Sequence, residues 1–127
     1  MVTIQNYVRA KSLEEAYELN QKKGNCILGG MLWTKMQNRM IQTAIDLCDL
    51  GLNEIEETEE EFLIGAMVSL RQLETDTGLN AYTQGAVRDA VKDIVGVQFR
   101  NLATVGGSIW GRLGFSDVLT VFLAMDT

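Results

Sequence analysis

Apolar and polar positions divide the 127-residue chain into stretches of strand-like and helix-like period. Residues 3–8 alternate weakly, with Ile4 and Val8 apolar, and predict a short strand. Ser12-Leu13-Glu14-Glu15 follows as a capping-box pattern, in which the Ser12 hydroxyl accepts the Glu15 amide and Glu15 reaches back. Leu13, Ala16, Tyr17 and Leu19 mark one face of the ensuing helix, and Lys22-Lys23-Gly24 supplies its cationic last turn and its stop. The apolar run from Asn25 to Leu28, bounded by glycine, predicts a buried strand ending at Gly29-Gly30. Residues 31–39 suit a helical turn or short helix, and Ile41 to Leu47 another strand, which completes a β-α-β unit with a right-handed crossover.

In the second half, residues 61–66 predict a strand, and Ser69-Leu70-Arg71-Gln72 repeats the capping-box pattern to open a short helix through Glu74. Thr83 is expected to cap a helix whose face carries Ala86, Val87, Ala90, Val91, Ile94 and Val95, with Gly96 at its end. That spacing makes the stripe core first and binding surface second. Val97 to Ile109 reads as a strand followed by a loop. Ser116 is expected to cap a helix from Asp117 to Met125, apolar at Val118, Leu119, Val121, Phe122 and Leu123. The apolar pattern is still running at the last residue, so the chain is expected to be a piece of something longer.

Composition narrows the function classes. A hydrophobic fraction of 46% and a charged fraction of 22% are those of a globular protein of one ordinary domain, or of two small lobes sharing a ligand. No run of about 18 apolar residues predicts a membrane span, and the N-terminus lacks the order of a signal peptide, so the expected location is the cytoplasm. A net charge of −6 with scattered Lys and Arg argues against nucleic acid. The densest charge, Glu54, Glu56, Glu57, Glu59, Glu60 and Glu61, reads as a solvated turn between two strands. Cys26 and Cys48 are too few for a zinc or iron–sulfur site and are expected to be buried thiols. The chain has no histidine, which excludes Ser-His-Asp and Cys-His nucleophile systems, histidine metal sites and histidyl-linked cofactors within it. Chemistry here would be carried by something bound.

Two glycine pairs are the candidates for holding it. Gly29-Gly30 follows a short apolar strand, and Gly106-Gly107 lies in Ala103-Thr104-Val105-Gly106-Gly107-Ser108-Ile109 between hydroxyl side chains. Each pair has a structural reading, a tight turn for the first and a bulge or bend for the second. Each also has a functional one, in which glycine lets backbone amides approach an anion, with Lys35 and Arg39 adding positive potential. Neither Gly-x-Gly-x-x-Gly nor a P-loop ending is present. The residues alone therefore reach a glycine-rich, two-loop domain for an anionic ligand.

Arg100-Asn101-Leu102-Ala103-Thr104-Val105-Gly106-Gly107-Ser108-Ile109, followed by Ser116-Asp117, resembles the signature of the FAD-binding subunits of molybdenum hydroxylases, the medium subunits of the xanthine dehydrogenase and carbon monoxide dehydrogenase type. Cys26-Ile27-Leu28-Gly29-Gly30 resembles that family's first FAD loop, and Leu63-Ile64-Gly65-Ala66 with Leu70 and Leu73-Glu74 resembles a further stretch. The three occur in the family's order. The resemblance implies an α+β, two-lobed FAD-binding fold of the PCMH type, with an α/β lobe over residues 1–57 and an incomplete second lobe with an antiparallel sheet over residues 58–127.

It also implies a site. Noncovalent FAD would contact Ile27, Leu28, Gly29, Gly30, Met31, Leu32 and Trp33 of the first loop and Thr104, Val105, Gly106, Gly107 and Ser108 of the second. The pyrophosphate would meet backbone amides of both, Asp117 would accept a bond from a sugar or ribityl hydroxyl, and Ile94 would lie near the adenine. Asp117 has a second reading as a carboxylate satisfying a helix N-terminus. Met31 stands where the family often has a hydroxyl residue, Ser108 where asparagine is common, and the chain has no proline. No residue is assigned as catalytic and no metal is expected in this chain. The implied function is that of an oxidoreductase subunit passing electrons from iron–sulfur clusters on a small partner subunit to NAD or another acceptor, beside a molybdopterin-binding large subunit. The competing reading is a noncatalytic assembly or docking fragment of the same fold without flavin.

Overall fold

The computed structural model describes residues 1–127, and the chain divides into two compact units, Met1–Leu52 and Asn53–Thr127. In the first unit, β1 (Thr3–Arg9), α1 (Leu13–Asn20), β2 (Cys26–Leu28) and β3 (Met40–Asp46) build a three-stranded parallel sheet in the order β1-β3-β2. The register sets Arg9 opposite Asp46 and Asp46 opposite Leu28, so the strands' carboxyl ends are level. Leu28, Ile41 and Ala44 are buried together, with Val2, Cys26 and Met31 packed against them. A single 3₁₀ turn, Thr34–Met36, occupies part of the 31–39 stretch.

The N-terminus of α1 forms largely as its sequence predicts. The Ser12 hydroxyl accepts the Glu15 amide at 3.1 Å. Glu15, however, reaches one residue further back, its carboxylate accepting from the Lys11 amide at 2.7 Å. The predicted apolar face is only partly used: Ala16 is buried and Leu19 half-buried, whereas Leu13 and Tyr17 are exposed. A helix of about two turns meets β2 and β3 along a narrow line, and the small Ala16 marks it, leaving Leu13 and Tyr17 on the outer flank. The expected burial of both thiols also fails. Cys48 is exposed, with Arg9 Nε donating to its Sγ at 3.2 Å, and Cys26 is half-buried beside the Arg39 guanidinium at 3.0 Å.

The second unit opens with β4 (Ile55–Glu57) and β5 (Phe62–Ile64), an antiparallel pair whose turn carries the exposed glutamates. Thr58 organises this turn, its hydroxyl accepting from the amides of Glu60 and Glu61. β4 thus lies on the second unit's side of the division. Five six-residue helices follow: α2 (Leu70–Thr75), α3 (Thr77–Tyr82), α4 (Ala86–Val91), α5 (Val97–Leu102) and α6 (Val105–Trp110); the eight-residue α7 (Asp117–Ala124) completes the unit. Leu70, Leu73, Leu79, Val87, Val91, Val105, Val118 and Phe122 form the apolar interior, with α2 against α4 and α5, and α7 against α4 and α6.

Two predicted elements are replaced. The helix expected after Thr83 is the shorter α4, and Thr83 instead closes α3, a helix the sequence pattern did not predict. Asp76 caps α3 by accepting the Leu79 amide at 2.7 Å, while Asn80 ties the turn by donating to Leu73 and accepting the Arg88 amide. Gly85, at φ +82°, starts α4, which stops at Val91, leaving Ile94 and Val95 beyond it. The expected strand and loop from Val97 to Ile109 is instead α5 and α6, separated by extended Ala103 and Thr104. The remaining capping signals hold. Ser69 and Gln72 complete a capping box on α2, and Ser116 caps α7 through the Leu119 amide at 3.2 Å. The mixed α and β elements in two units agree with the α+β, two-lobed architecture.

Candidate functional site

The first glycine pair lies just past β2, at the carboxyl edge of the parallel sheet, where open α/β sheets bind their ligands. Leu28 is buried and anchors the segment; Ile27, on the other face of the strand, is exposed. Gly29 and Gly30 form a bend, Met31 adopts φ +59°, and the chain then enters the 3₁₀ turn. Hydrogen bonds inside this unit use none of the amides of residues 29–32, and the Met31 carbonyl accepts the Lys35 amide at 2.9 Å. Left-handed backbone beside a bend or turn is the local conformation from which anion-binding backbone nests are built. Leu32 is half-buried and Trp33 exposed, so this segment offers amide donors, an indole surface and no acidic side chain.

The second glycine pair is built differently. Thr104 is the N-cap of α6, and its Oγ1 accepts the Gly107 amide at 3.2 Å. The amides of Val105 and Gly106 donate to the carbonyls of Val68 and Ala66 at 2.9 and 2.8 Å, and that of Ser108 to Thr104 at 3.0 Å. The Ser108 hydroxyl donates to the Thr104 carbonyl at 2.9 Å. The predicted open loop is therefore the first turn of a helix, and the four amides from Val105 to Ser108 are engaged within the unit. Glycine at 106 has a packing reason: a Cβ there would sit 2.8 Å from the Ala66 carbonyl oxygen and 2.9 Å from its Cβ. At Gly107 the neighbour is the capping Thr104 Oγ1, at 2.9 Å. Thr104 and Val105 are buried, Ser108 is half-buried and Gly107 is exposed.

A buried ion pair between α5 and α2 has no counterpart among the sequence expectations. Arg100, 6% exposed, donates through Nε to Glu74 at 2.8 Å and through a terminal nitrogen to the Ile94 carbonyl at 3.1 Å. Arg71 adds a second contact to Glu74 at 2.8 Å. The Arg100 hydrogen bond is the main cause holding the Glu74 carboxyl below its ordinary value. The pair joins Leu73-Glu74 on α2 to Arg100-Asn101 on α5, two motif fragments whose charged letters were the available signal.

Ile94 is half-buried in the turn between α4 and α5, and its neighbour Val95 is 80% exposed at φ +51°. For a β-branched residue this is an outlier costing on the order of 1–3 kcal/mol, and no residue pattern announced it. Asp117 is exposed in the first turn of α7, where a carboxylate is favoured by the helix dipole, and it remains accessible. A surface depression of about 400 Å³ in the second unit is lined by Glu74, Asp76, Asn80, Gln84 and Arg88 among others, none of them a predicted site residue. No group of His, Cys, Asp or Glu is arranged to hold a metal ion, and no helix is long and apolar enough to cross a membrane.

Comparison with known proteins gives this arrangement a context. The Uncharacterized protein YgfM of Escherichia coli strain K12 is 32% identical over 127 residues, covering 97% of this chain and 48% of that protein. A carbon monoxide dehydrogenase from Hydrogenophaga pseudoflava matches with a TM-score of 0.74 and 27% identity, over 84% of this chain and 39% of that one. A reconstituted CO dehydrogenase from Oligotropha carboxidovorans matches with a TM-score of 0.70 and 26% identity over the same shares. The chain thus spans about half the length of the curated relatives it matches. Residues 2–127 match the family described as the FAD binding domain in molybdopterin dehydrogenase, and the chain belongs to that family.

Proposed function

We propose that this chain forms the FAD-binding part of the flavoprotein subunit in a molybdenum hydroxylase complex. The observation that carries the reading is the Gly29-Gly30 segment, a bend at the carboxyl edge of a parallel sheet whose amides are left unused by the unit's own hydrogen bonds. A dinucleotide fits this donor set, because its pyrophosphate is an anion that a nest of amides can hold without a cationic side chain. Residues 29–32 take the pyrophosphate, with Ile27, Leu28 and Trp33 shaping the apolar edge. The second segment contributes side chains and surface: the Thr104 and Ser108 hydroxyls, the bare Cα of Gly106 and Gly107, and Val105 as their anchor. Asp117 accepts a hydroxyl of the sugar or ribityl chain, and Ile94 lies on the apolar side of a ring.

FAD, held noncovalently, supplies the redox chemistry; this chain binds it, orients it and sets its electrostatic surroundings. In the assembled complex, electrons reach the flavoprotein from iron–sulfur clusters on a partner subunit and leave to NAD or another acceptor, with substrate oxidised on a molybdopterin-binding large subunit in the cytoplasm. Incubation of the full-length protein with FAD, followed by gel filtration, tests the binding step. Flavin absorbance should co-elute with protein, and its absence in a folded sample sinks the reading. A second reading, a flavin-free docking module, draws on the engaged amides of residues 105–108, which let α6 form without a ligand. Partner capture that survives loss of flavin binding would favour it.

A further inference from the structure

One edge of the parallel sheet is left unprotected. β1 is the terminal strand in the order β1-β3-β2 and runs unbroken from Thr3 to Arg9. Helix α1 packs on β2 and β3, while β1 packs on β3, and every residue of β1 except the half-buried Val8 is exposed. In a parallel ladder alternate residues turn their backbone groups to the neighbour and the others turn theirs away, which gives β1 a row of donors and acceptors on its far side. Such an edge is usually blunted by lysine, proline, a bulge or a covering element. β1 has no lysine, proline or glycine, and its register with β3 is constant along its length. Its one charge, Arg9, is at the strand's end and is tied to Asp49. The opposite edge strand, β2, has only three residues.

We infer that β1 is an interface for a second copy of this chain, docked edge to edge and antiparallel about a two-fold axis through Asn6. The strand is its own complement in that register. Ile4 faces the second copy's Val8 and Val8 its Ile4, Gln5 faces Tyr7, Thr3 faces Arg9, and Asn6 meets Asn6. No like charges meet, and both aliphatic pairs fall on one face. The next allowed slide in either direction sets Ile4 or Val8 against Asn6 instead. Ile4 and Val8 also lie beside the buried Ile41 and Ile45 of β3, so the joined sheets share an apolar face across the junction. The combined order is β2-β3-β1-β1-β3-β2, and its short outer strands stop growth at two copies. The Gly29-Gly30 bends follow β2 and so come at the two ends of that sheet, away from the junction. Dimer and flavin therefore do not compete, and neither depends on the other.

A single ladder of this length is a small interface, so association is weak and reversible. Sedimentation velocity of the full-length protein, without flavin, should show monomer giving way to dimer between about 1 and 500 µM, with no larger species. Monomer throughout, or open-ended growth, overturns the inference. Asn6 lies on the axis, so Asn6→Asp sets two carboxylates against each other and should raise the dimer Kd about tenfold, as should Asn6→Lys with two ammonium groups. Mixed together, the two variants should form a one-to-one heterodimer, because opposite charges then meet. The position is exposed and its side chain makes one hydrogen bond, to the Gln42 carbonyl, so circular dichroism should show the fold kept. A dimer that neither variant weakens, or that mixing does not restore, overturns the arrangement. Hydrogen exchange reads the edge with no substitution: alternate amides of β1 should exchange fast in dilute protein and slow in concentrated protein. Protection of all of them in the dilute monomer would mean that the full-length chain covers β1 itself, which also overturns the inference.

Discussion

Gly29-Gly30 and Gly106-Gly107 look alike as letters, yet one ends a parallel strand with the amides of residues 29–32 unused inside its unit and the other begins a helix with its amides bonded. The first has the character of a binding element, since donors held in a bend are available to an outside acceptor. The second has the character of a joint: Gly106 is there because α6 approaches Ala66 more closely than a Cβ permits. The same dipeptide therefore answers two different physical demands, and only the surrounding hydrogen bonds distinguish them.

Breaking the brace behind the second pair should have the largest effect. Arg100→Met removes the buried guanidinium that bonds Glu74 and the Ile94 carbonyl, leaving the half-buried Glu74 only its contact with Arg71, and should cost about 3 kcal/mol, read as a lowered denaturant midpoint. At the first pair, Gly30→Asp places a carboxylate against the proposed pyrophosphate and should weaken FAD about a hundredfold relative to Gly30→Ala, about 2.7 kcal/mol. Equal affinities for those two variants would remove the anion role. Gly106→Ala forces a Cβ onto the Ala66 backbone and should cost about 1–3 kcal/mol of stability whether or not flavin is present. Thr104→Ala removes the α6 cap and should cost about 1 kcal/mol.

The smallest effect is a pH dependence. Glu74 has a folded pKa below its ordinary 4.5, so the stability it contributes is present above that value and is lost as pH falls through the lowered one. Chemical denaturation across the acid range should show Glu74→Gln less stable near neutrality and flatter below about pH 4.5 than the unsubstituted protein.

Local signals were read well where a side chain acts on its own backbone. Ser12, Ser69 and Ser116 each cap the helix their spacing predicts, because the capping bond spans only a few residues. The parallel strands and the acidic turn were equally legible from apolar runs bounded by glycine or charge. Periodicity misled where tertiary contacts took over. The stripe from Ala86 to Val95 continues past α4 in sequence, but the helix ends at Val91, where the Ile94 carbonyl is taken by the Arg100 guanidinium instead of by a following helical turn. At the candidate site, motif letters located both glycine pairs, whereas the different fates of their amides depend on Ala66 and Val68, more than thirty residues upstream of the second pair. No local pattern carries that information.

The shortness of α2 to α6 has a consequence for how the second unit comes apart. A six-residue helix leaves most of its terminal donors and acceptors without an intrahelical partner, and so short a helix is marginal in isolation. Bonds such as Val105 to Val68 and Leu70 to Ala103 take up part of that deficit by linking each helix to its neighbours. Opening one helix therefore strips partners from the next, which makes the unit a single cooperative foldon: in native-state hydrogen exchange, the interior amides of α2, α5 and α6 should be released together, with a common opening free energy.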